Sequence, residues 1–86
     1  MRIARTARFK KSWEALDERE RVLARKAITN LARDIHYPAL RAKKMQGADH
    51  IWEARVSRSL RITFHFDGDT VILRNIGKHD KTLGQP

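Results

Sequence analysis

Glu53, Arg55, Arg61, Thr63, His65 and Arg74 lie in three short stretches where apolar and polar residues alternate. Read as strands, these stretches turn all six toward one face, because side chains alternate along a strand with a period of two. Taking Asp67-Gly68 as a two-residue hairpin loop, Phe66 faces Asp69, Phe64 faces Val71 and Ile62 faces Leu73. The same register sets Thr63 opposite Ile72 and Arg61 opposite Arg74. Like charges directly across a strand pair cost a few tenths of a kcal/mol or more. An anionic ligand, or Glu53 as a bridge, would relieve that repulsion. His79 follows the last strand closely enough to reach the same face. A carboxylate, several arginines and a histidine are the groups that phosphodiester cleavage requires. A base takes the 2′-hydroxyl proton, guanidinium groups stabilise the pentavalent phosphorane, and an acid protonates the leaving oxygen. Imidazole, which titrates nearest neutral pH, suits either proton transfer.

Each group also has a plainer reading. Glu53 and Arg55 can be exposed strand residues paired toward Arg61, a contact worth about 0–1 kcal/mol. His65 can be a packing residue of the hairpin, and Arg74, flanked by Ile72 and Ile76, can be partly covered. His36 belongs to a helix end and His50 to a turn. The four histidines show no His-x-x-x-His spacing, so no metal site is expected. Ser57 and Ser59 lack the His/Asp partners of a nucleophilic serine. Lys43 and Lys44, with Arg41, Lys78 and Lys81, are candidates for contacts to an RNA backbone.

These residues depend on elements that can be read along the chain. Residues 2–6 form a short strand. Phe9, Trp13 and Leu16 recur at helical spacing, giving a short amphipathic helix. Asp17-Glu18 supplies a turn and a new N-cap. Residues 18–35 form a second helix with an apolar stripe of Ala24, Ala27, Ile28, Leu31 and Ile35, with Leu23 at its edge. Pro38 is expected to stop it, since the residue before a proline is pushed out of helical angles. A basic connector runs to Gly47 and Asp49. Three strands follow: 51–57, 60–66 and the one after Gly68. Keeping Arg55 and Arg61 on one face requires an odd loop, Ser57-Arg58-Ser59. The expected fold is α+β in two layers, with the N-terminal strand and the helical hairpin packed on a small antiparallel sheet.

Bulk properties narrow the function. The 86 residues fit a single domain, 1–86, with 41% hydrophobic residues and six aromatics to fill one core. Nineteen Lys and Arg against ten Asp and Glu give a net charge of +9, which favours a polyanionic partner through counterion release. There is no cysteine, so neither disulfides nor a thiolate zinc site, which fits a cytoplasmic location. No apolar run approaches the roughly 18 residues of a membrane span, and the N-terminus lacks the apolar core of a signal peptide.

The order of strand, two helices and three strands coincides with particular letters. Met45-Gln46-Gly47, Trp52-Glu53-Ala54-Arg55-Val56, Arg61-Ile62 and Ile76-Gly77-Lys78-His79-Asp80 together resemble the RelE/ParE superfamily of toxins from bacterial type II toxin–antitoxin systems. The resemblance implies a RelE-like fold and a ribosome-dependent endoribonuclease that cuts mRNA without metal or cofactor, held in check by an antitoxin. It implies that Arg61 contacts the scissile phosphate, that Glu53 and Arg55 occupy catalytic strand positions, and that His79 fills the tail position held by arginine or histidine. Arg74 joins them as a further phosphate contact. Relatives often carry an aromatic a few residues later, where this chain has Leu83; a stacked base is worth about 1–3 kcal/mol. That difference leaves two other readings open, a ParE-like inhibitor that binds DNA gyrase without catalysis and a non-toxic RNA-binding relative.

Overall fold

Thr6 ends the first strand and starts the first helix. Its hydroxyl accepts from Phe9 N at 3.1 Å and donates to Arg74 O at 2.9 Å, so one side chain caps a helix and ties it to the last strand. The computed structural model describes the backbone of residues 1–86 and every side chain except that of Lys81. Strand β1 spans Arg2–Arg5 and helix α1 Ala7–Glu14. Asp17 begins α2, Glu18–Arg33, with a reciprocal capping box. Its carboxylate accepts from Glu20 N at 2.8 Å, while the Glu20 carboxylate accepts from Asp17 N at 2.9 Å. Phe9, Leu16, Ala24, Ala27, Ile28 and Leu31 are buried, as their spacing predicts, and Trp13 and Ile35 pack against them. Leu23 is left 38% exposed.

Helix α2 ends earlier than Pro38 would require. Asp34 is already extended (φ −160°), and its carboxylate accepts from His36 N at 2.9 Å. A short polar side chain that bonds the backbone locally competes with the helical ladder and wins at this exposed end. Pro38–Leu40 then forms a single 3₁₀ turn that buries Leu40.

The sheet has five strands in the order β1-β5-β4-β3-β2, where β2 is Lys43–Lys44, β3 Trp52–Arg55, β4 Leu60–Asp67 and β5 Thr70–Lys78. Strands β2 to β5 are antiparallel neighbours, but β1 runs parallel to β5, so the α+β sheet is mixed and not wholly antiparallel. Strand β2 lies within what reads in sequence as a connector. One face of the sheet carries Ala54, Leu60, Ile62, Phe64, Val71, Leu73 and Ile76 into the core. The three-residue turn Ser57–Ser59 is present, closed by Val56 N donating to Leu60 O at 3.0 Å.

The β4–β5 hairpin differs from its expected register. Asp67 pairs with Thr70, so the turn is Gly68-Asp69, with Gly68 at φ +60°, where the missing Cβ removes the steric penalty. Phe66 therefore faces Val71, Phe64 faces Leu73, and His65 faces Ile72. Beyond Leu73 the strand bulges. Arg74 has no partner, and pairing resumes with Thr63↔Asn75, Ile62↔Ile76 and Arg61↔Gly77. Leu73 and Ile76 are three residues apart yet both enter the core, which an even alternation forbids and one extra residue allows.

The second face of the sheet is not open. Helix α3, His79–Gly84, turns back across β4 and β5. Thr82, 1% exposed, sits against Gly77, and a Cβ at Gly77 would lie 2.8 Å from its hydroxyl oxygen. Gly77 is thus required by a close approach.

Candidate functional site

Arg55 and Arg61 are direct cross-strand partners on the second face. The strand alternation puts them there, and the odd turn between β3 and β4 keeps them in register. No side-chain carboxylate among the described residues lies within 4 Å of either. Their guanidinium groups bond backbone carbonyls instead. Arg61 Nη1 donates to Ser57 O at 2.7 Å, Leu60 O at 3.1 Å and Arg58 O at 3.3 Å, while Arg55 Nε donates to Ser57 O at 3.4 Å. Carbonyl dipoles orient these groups without cancelling their charge, so two adjacent positive charges remain, which a nearby anion would relieve.

Glu53 lies one row away, paired with Thr63 on one side and Lys43 on the other. It is 8% exposed, with Lys43 Nζ at 3.7 Å, so its carboxylate is turned toward β2 and not toward the arginines. The expected opposition of Arg61 and Arg74 does not occur, because the shifted hairpin and the bulge put Gly77 beside Arg61. Arg74 reaches the same face from the bulge. Its Nη1 lies 2.9 Å from His65 Nδ1, and its Nε donates to Pro86 O at 3.1 Å. A guanidinium has only donors, so Nδ1 of His65 is the acceptor and the imidazole proton sits on Nε2. Burial, then the Arg74 charge, then His50 hold the His65 pKa below its ordinary value, with Asp67 opposing weakly. His50, at φ 57°, places its ring edge-on to His65 with centroids 5.6 Å apart.

His79 begins α3 at the end of β5. Its backbone N–H donates to Ser59 O at 3.0 Å, in the turn whose carbonyls hold Arg61. The imidazole is half-exposed, with Nδ1 3.6 Å from Asp80, and has no hydrogen bond to Arg55, Arg61 or Arg74 among the described residues. Of the candidate RNA contacts, Lys43 and Lys44 stand exposed on β2, Lys44 with Nζ 5.9 Å from the Trp52 ring centre. Arg41 is exposed at φ 45°, and Lys78 is exposed at the end of β5. The Lys81 side chain lies outside the described residues. Among the described residues no three His, Asp or Glu side chains gather closely enough to hold a metal ion. No helix is long and apolar enough to cross a membrane.

Two polar residues here, Asn75 and Thr82, escape a sequence reading, while Thr63, placed on this face by the strand alternation, is covered. Thr63 is fully buried, and its hydroxyl donates to Pro86 O at 3.4 Å. Asn75 accepts from Ser12 Oγ at 2.6 Å and donates to Gln85 O at 2.8 Å, joining α1 to the C-terminal segment. Thr82 completes the cover. The available signal is Gly77 within an apolar strand, since a strand glycine often marks a close approach.

A mixed five-stranded sheet with a helical hairpin on one face and a short C-terminal helix on the other is the fold of the RelE-like toxins. YafQ from E. coli superposes with a TM-score of 0.81 at 14% identity, covering 95% of this chain and 98% of that one. A chain of the RelB–RelE antitoxin–toxin complex from Methanococcus jannaschii gives 0.77 at 19% identity, over 96% and 99%. The YoeB/ParE toxin from Agrobacterium tumefaciens gives 0.77 at 16% identity, over 92% and 99%. No family model and no curated protein sequence matches the chain.

Proposed function

We propose that the chain is the toxin of a type II toxin–antitoxin pair and cleaves mRNA on the ribosome, in the cytoplasm. The observation that carries this reading is the Arg55–Arg61 pair, two opposed arginines with no carboxylate partner, on a RelE-like fold. Arg61 and Arg55 hold the scissile phosphate and stabilise the phosphorane, and Arg74 takes an adjacent phosphate oxygen. His79 moves the proton, since it is exposed and anchored through Ser59 to the Arg61 turn. Glu53, buried against Lys43, sets the charge of the neighbouring row and is the second candidate base. Lys43, Lys44, Arg41, Lys78 and Lys81 grip the surrounding RNA. The reaction needs no cofactor in this scheme, because attack by the 2′-hydroxyl leaves a cyclic phosphate and a 5′-hydroxyl. Expression in cells followed by mapping of mRNA 5′ ends tests the reading. Growth arrest with unchanged transcripts would sink it.

The partner is an antitoxin, as RelB is for RelE and DinJ for YafQ in the solved complexes. A groove of about 670 Å³ between α1 and α2, floored by Phe9, Trp13 and Ile28 and rimmed by Arg5, Lys10 and Arg25, suits an acidic amphipathic segment. A second reading, gyrase inhibition without catalysis, is favoured by one feature: Leu83 is the residue where an aromatic would stack, and no aromatic follows Phe66. A supercoiling assay separates the two, because only an inhibitor affects gyrase at micromolar concentration.

A further inference from the structure

The helix-bearing face of the sheet is not covered along its whole length. Leu60, Ile62 and Phe64 are at most 1% exposed, but Phe66, the next residue of β4 on that face, is 37% exposed. Trp52, partly buried on β3, stands beside it with ring centroids 5.7 Å apart and planes at 82°. Phe64 also meets Phe66 edge to face, at 5.8 Å and 89°, and lies nearly parallel to Trp52 at 6.2 Å. Two perpendicular contacts hold the Phe66 ring in one orientation while part of its surface stays in water. Lys44, the cross-strand partner of Trp52, carries its ammonium 5.9 Å from the centre of the indole. Among the described residues no carboxylate lies within 4 Å of that ammonium. Asp67 follows Phe66 directly, but strand alternation turns it to the other face.

We infer that Phe66, Trp52 and Lys44 form a stacking platform for single-stranded RNA, distinct from the Arg55–Arg61 pair and reached over the β2 edge of the sheet. This rests on the RNA reading given above and adds a second subsite to it. A fixed ring beside a cation matches the two halves of a nucleotide: the ring takes the base and the ammonium takes the phosphate. Every base has a π face, so such a contact tolerates any sequence. A ring that is already held in place also loses little freedom on binding. Among the described residues, neither ring lines the groove between α1 and α2 or either of two smaller ones. The surface is therefore flat, which suits a planar base and not the ridge of a docking helix. Strand β2 is the sheet edge, and its two lysines divide between the faces. Lys43 lies beside Glu53 on the arginine face, and Lys44 beside Trp52 on the aromatic one. Arg55 and Trp52 stand at opposite ends of β3, about 10 Å apart along the strand. A single strand crossing that edge meets the arginines, Lys43, Lys44 and the rings in turn.

The test titrates the isotope-labelled chain with hexadeoxyadenylate, which lacks the 2′-hydroxyl and so survives the proposed chemistry, and with inorganic polyphosphate, which has charge but no base. The Trp52 indole N–H, the Phe66 ring and the Nε–H groups of Arg55 and Arg61 are followed by NMR. Hexadeoxyadenylate is expected to shift the Trp52 and Phe66 signals upfield through base ring currents, while polyphosphate leaves them in place. Phe66→Leu, which keeps an apolar side chain opposite Val71, should weaken hexadeoxyadenylate binding about fivefold or more and leave polyphosphate binding unchanged. Lys44→Gln should weaken both. Shifts at the arginines over stationary rings overturn the platform and leave the phosphodiester reading standing. Shifts at the rings with silent arginines support the platform and remove the arginine pair from RNA binding. Silence at both removes both. Polyphosphate that moves the rings as far as hexadeoxyadenylate does shows attraction to Lys44 alone and overturns the stack. Ring signals that move with protein concentration alone, or only with an acidic leucine-bearing peptide, assign the surface to a second copy of the chain or to a protein partner and overturn it too. Should Phe66→Leu fail to fold, the ring shifts of the unaltered chain decide.

Discussion

Arg74 holds His65 in its neutral form: 2.9 Å separates the guanidinium Nη1 from the imidazole Nδ1, and only the imidazole can accept. A proton added at Nδ1 would break that bond and set two positive charges side by side. Burial, reinforced by the Arg74 charge, should thus make His65 titrate below the ordinary histidine value of about 6.5. Two-dimensional NMR of the histidine side chains measures this, and Arg74→Gln should move the pKa back up. A histidine that titrates normally in both proteins would refute the arrangement. The linked effect on stability has a fixed sign. Because the folded pKa is the lower one, the unfolded chain binds more protons in the window between the two values. The contribution of His65 is complete above about pH 6.5 and declines as pH falls through the folded value. Urea midpoints should accordingly drop on acidification, and His65→Gln should flatten that dependence.

On the proposed reading, Arg55 and Arg61 trade stability for binding. Replacing Arg55 with Gln removes a like-charge cross-strand pair and should leave the fold unchanged or more stable by a few tenths of a kcal/mol. The same substitution should weaken RNA binding and lower the salt dependence of log K by about 0.7 for one lost phosphate contact on a single strand. Denaturation curves and salt-titrated binding check the two halves separately. A variant that loses stability while keeping its RNA affinity would show the pair to be structural.

Gly77→Ala places a methyl group 2.8 Å from the Thr82 hydroxyl oxygen, closer than van der Waals contact allows. Overpacking of this kind costs roughly 1–3 kcal/mol. Thr82→Ala in the same chain should recover part of the loss, because the clash is with that side chain. A double-mutant cycle from urea midpoints gives the coupling, and strict additivity would rule out the contact.

Asp17→Ala removes one arm of the capping box and should destabilise by about 0.5–2 kcal/mol, with no change in RNA affinity, since α2 packs on the opposite face of the sheet. Circular dichroism and calorimetry measure the loss.

The first two helices are legible because apolar spacing marks both and a capping Asp17 marks where the second begins. Phe9, Trp13 and Leu16 repeat at helical intervals, and Asp17 with Glu20 marks the next N-terminus. Strand β4 is legible for a similar reason, since Leu60, Ile62 and Phe64 alternate cleanly with Arg61, Thr63 and His65. The Arg55–Arg61 pair follows from that alternation and an odd loop. What failed was register. One-residue shifts cost little locally and are decided by the core, so Gly68-Asp69 became the turn and Arg74 the bulge. The clue was present in Val71, Leu73 and Ile76, whose spacings of two and then three cannot fit an unbroken strand. Strand β2 left less trace: two lysines carry no apolar pattern and pair only because β3 offers a free edge. The covering of the second face depends on where α3 folds back, a tertiary matter that "HDKTLG" does not encode by itself.

The parallel pairing of β1 with β5 sets an order of events. Arg2 to Arg5 form the first strand along the sequence, and their partners, Thr70 to Leu73, lie in β5, about 65 residues later. Closing so long a loop postpones its entropic repayment, and folds dominated by distant contacts form slowly. At about 5–20 residues per second, translation from β1 to the end of β5 takes on the order of ten seconds. Throughout most of that time the helical hairpin has no sheet to rest on, and Phe9 and Leu31 have nowhere to bury. Arg61 likewise waits for the strand that carries Gly77. The basic face therefore comes into being only once β5 has been made.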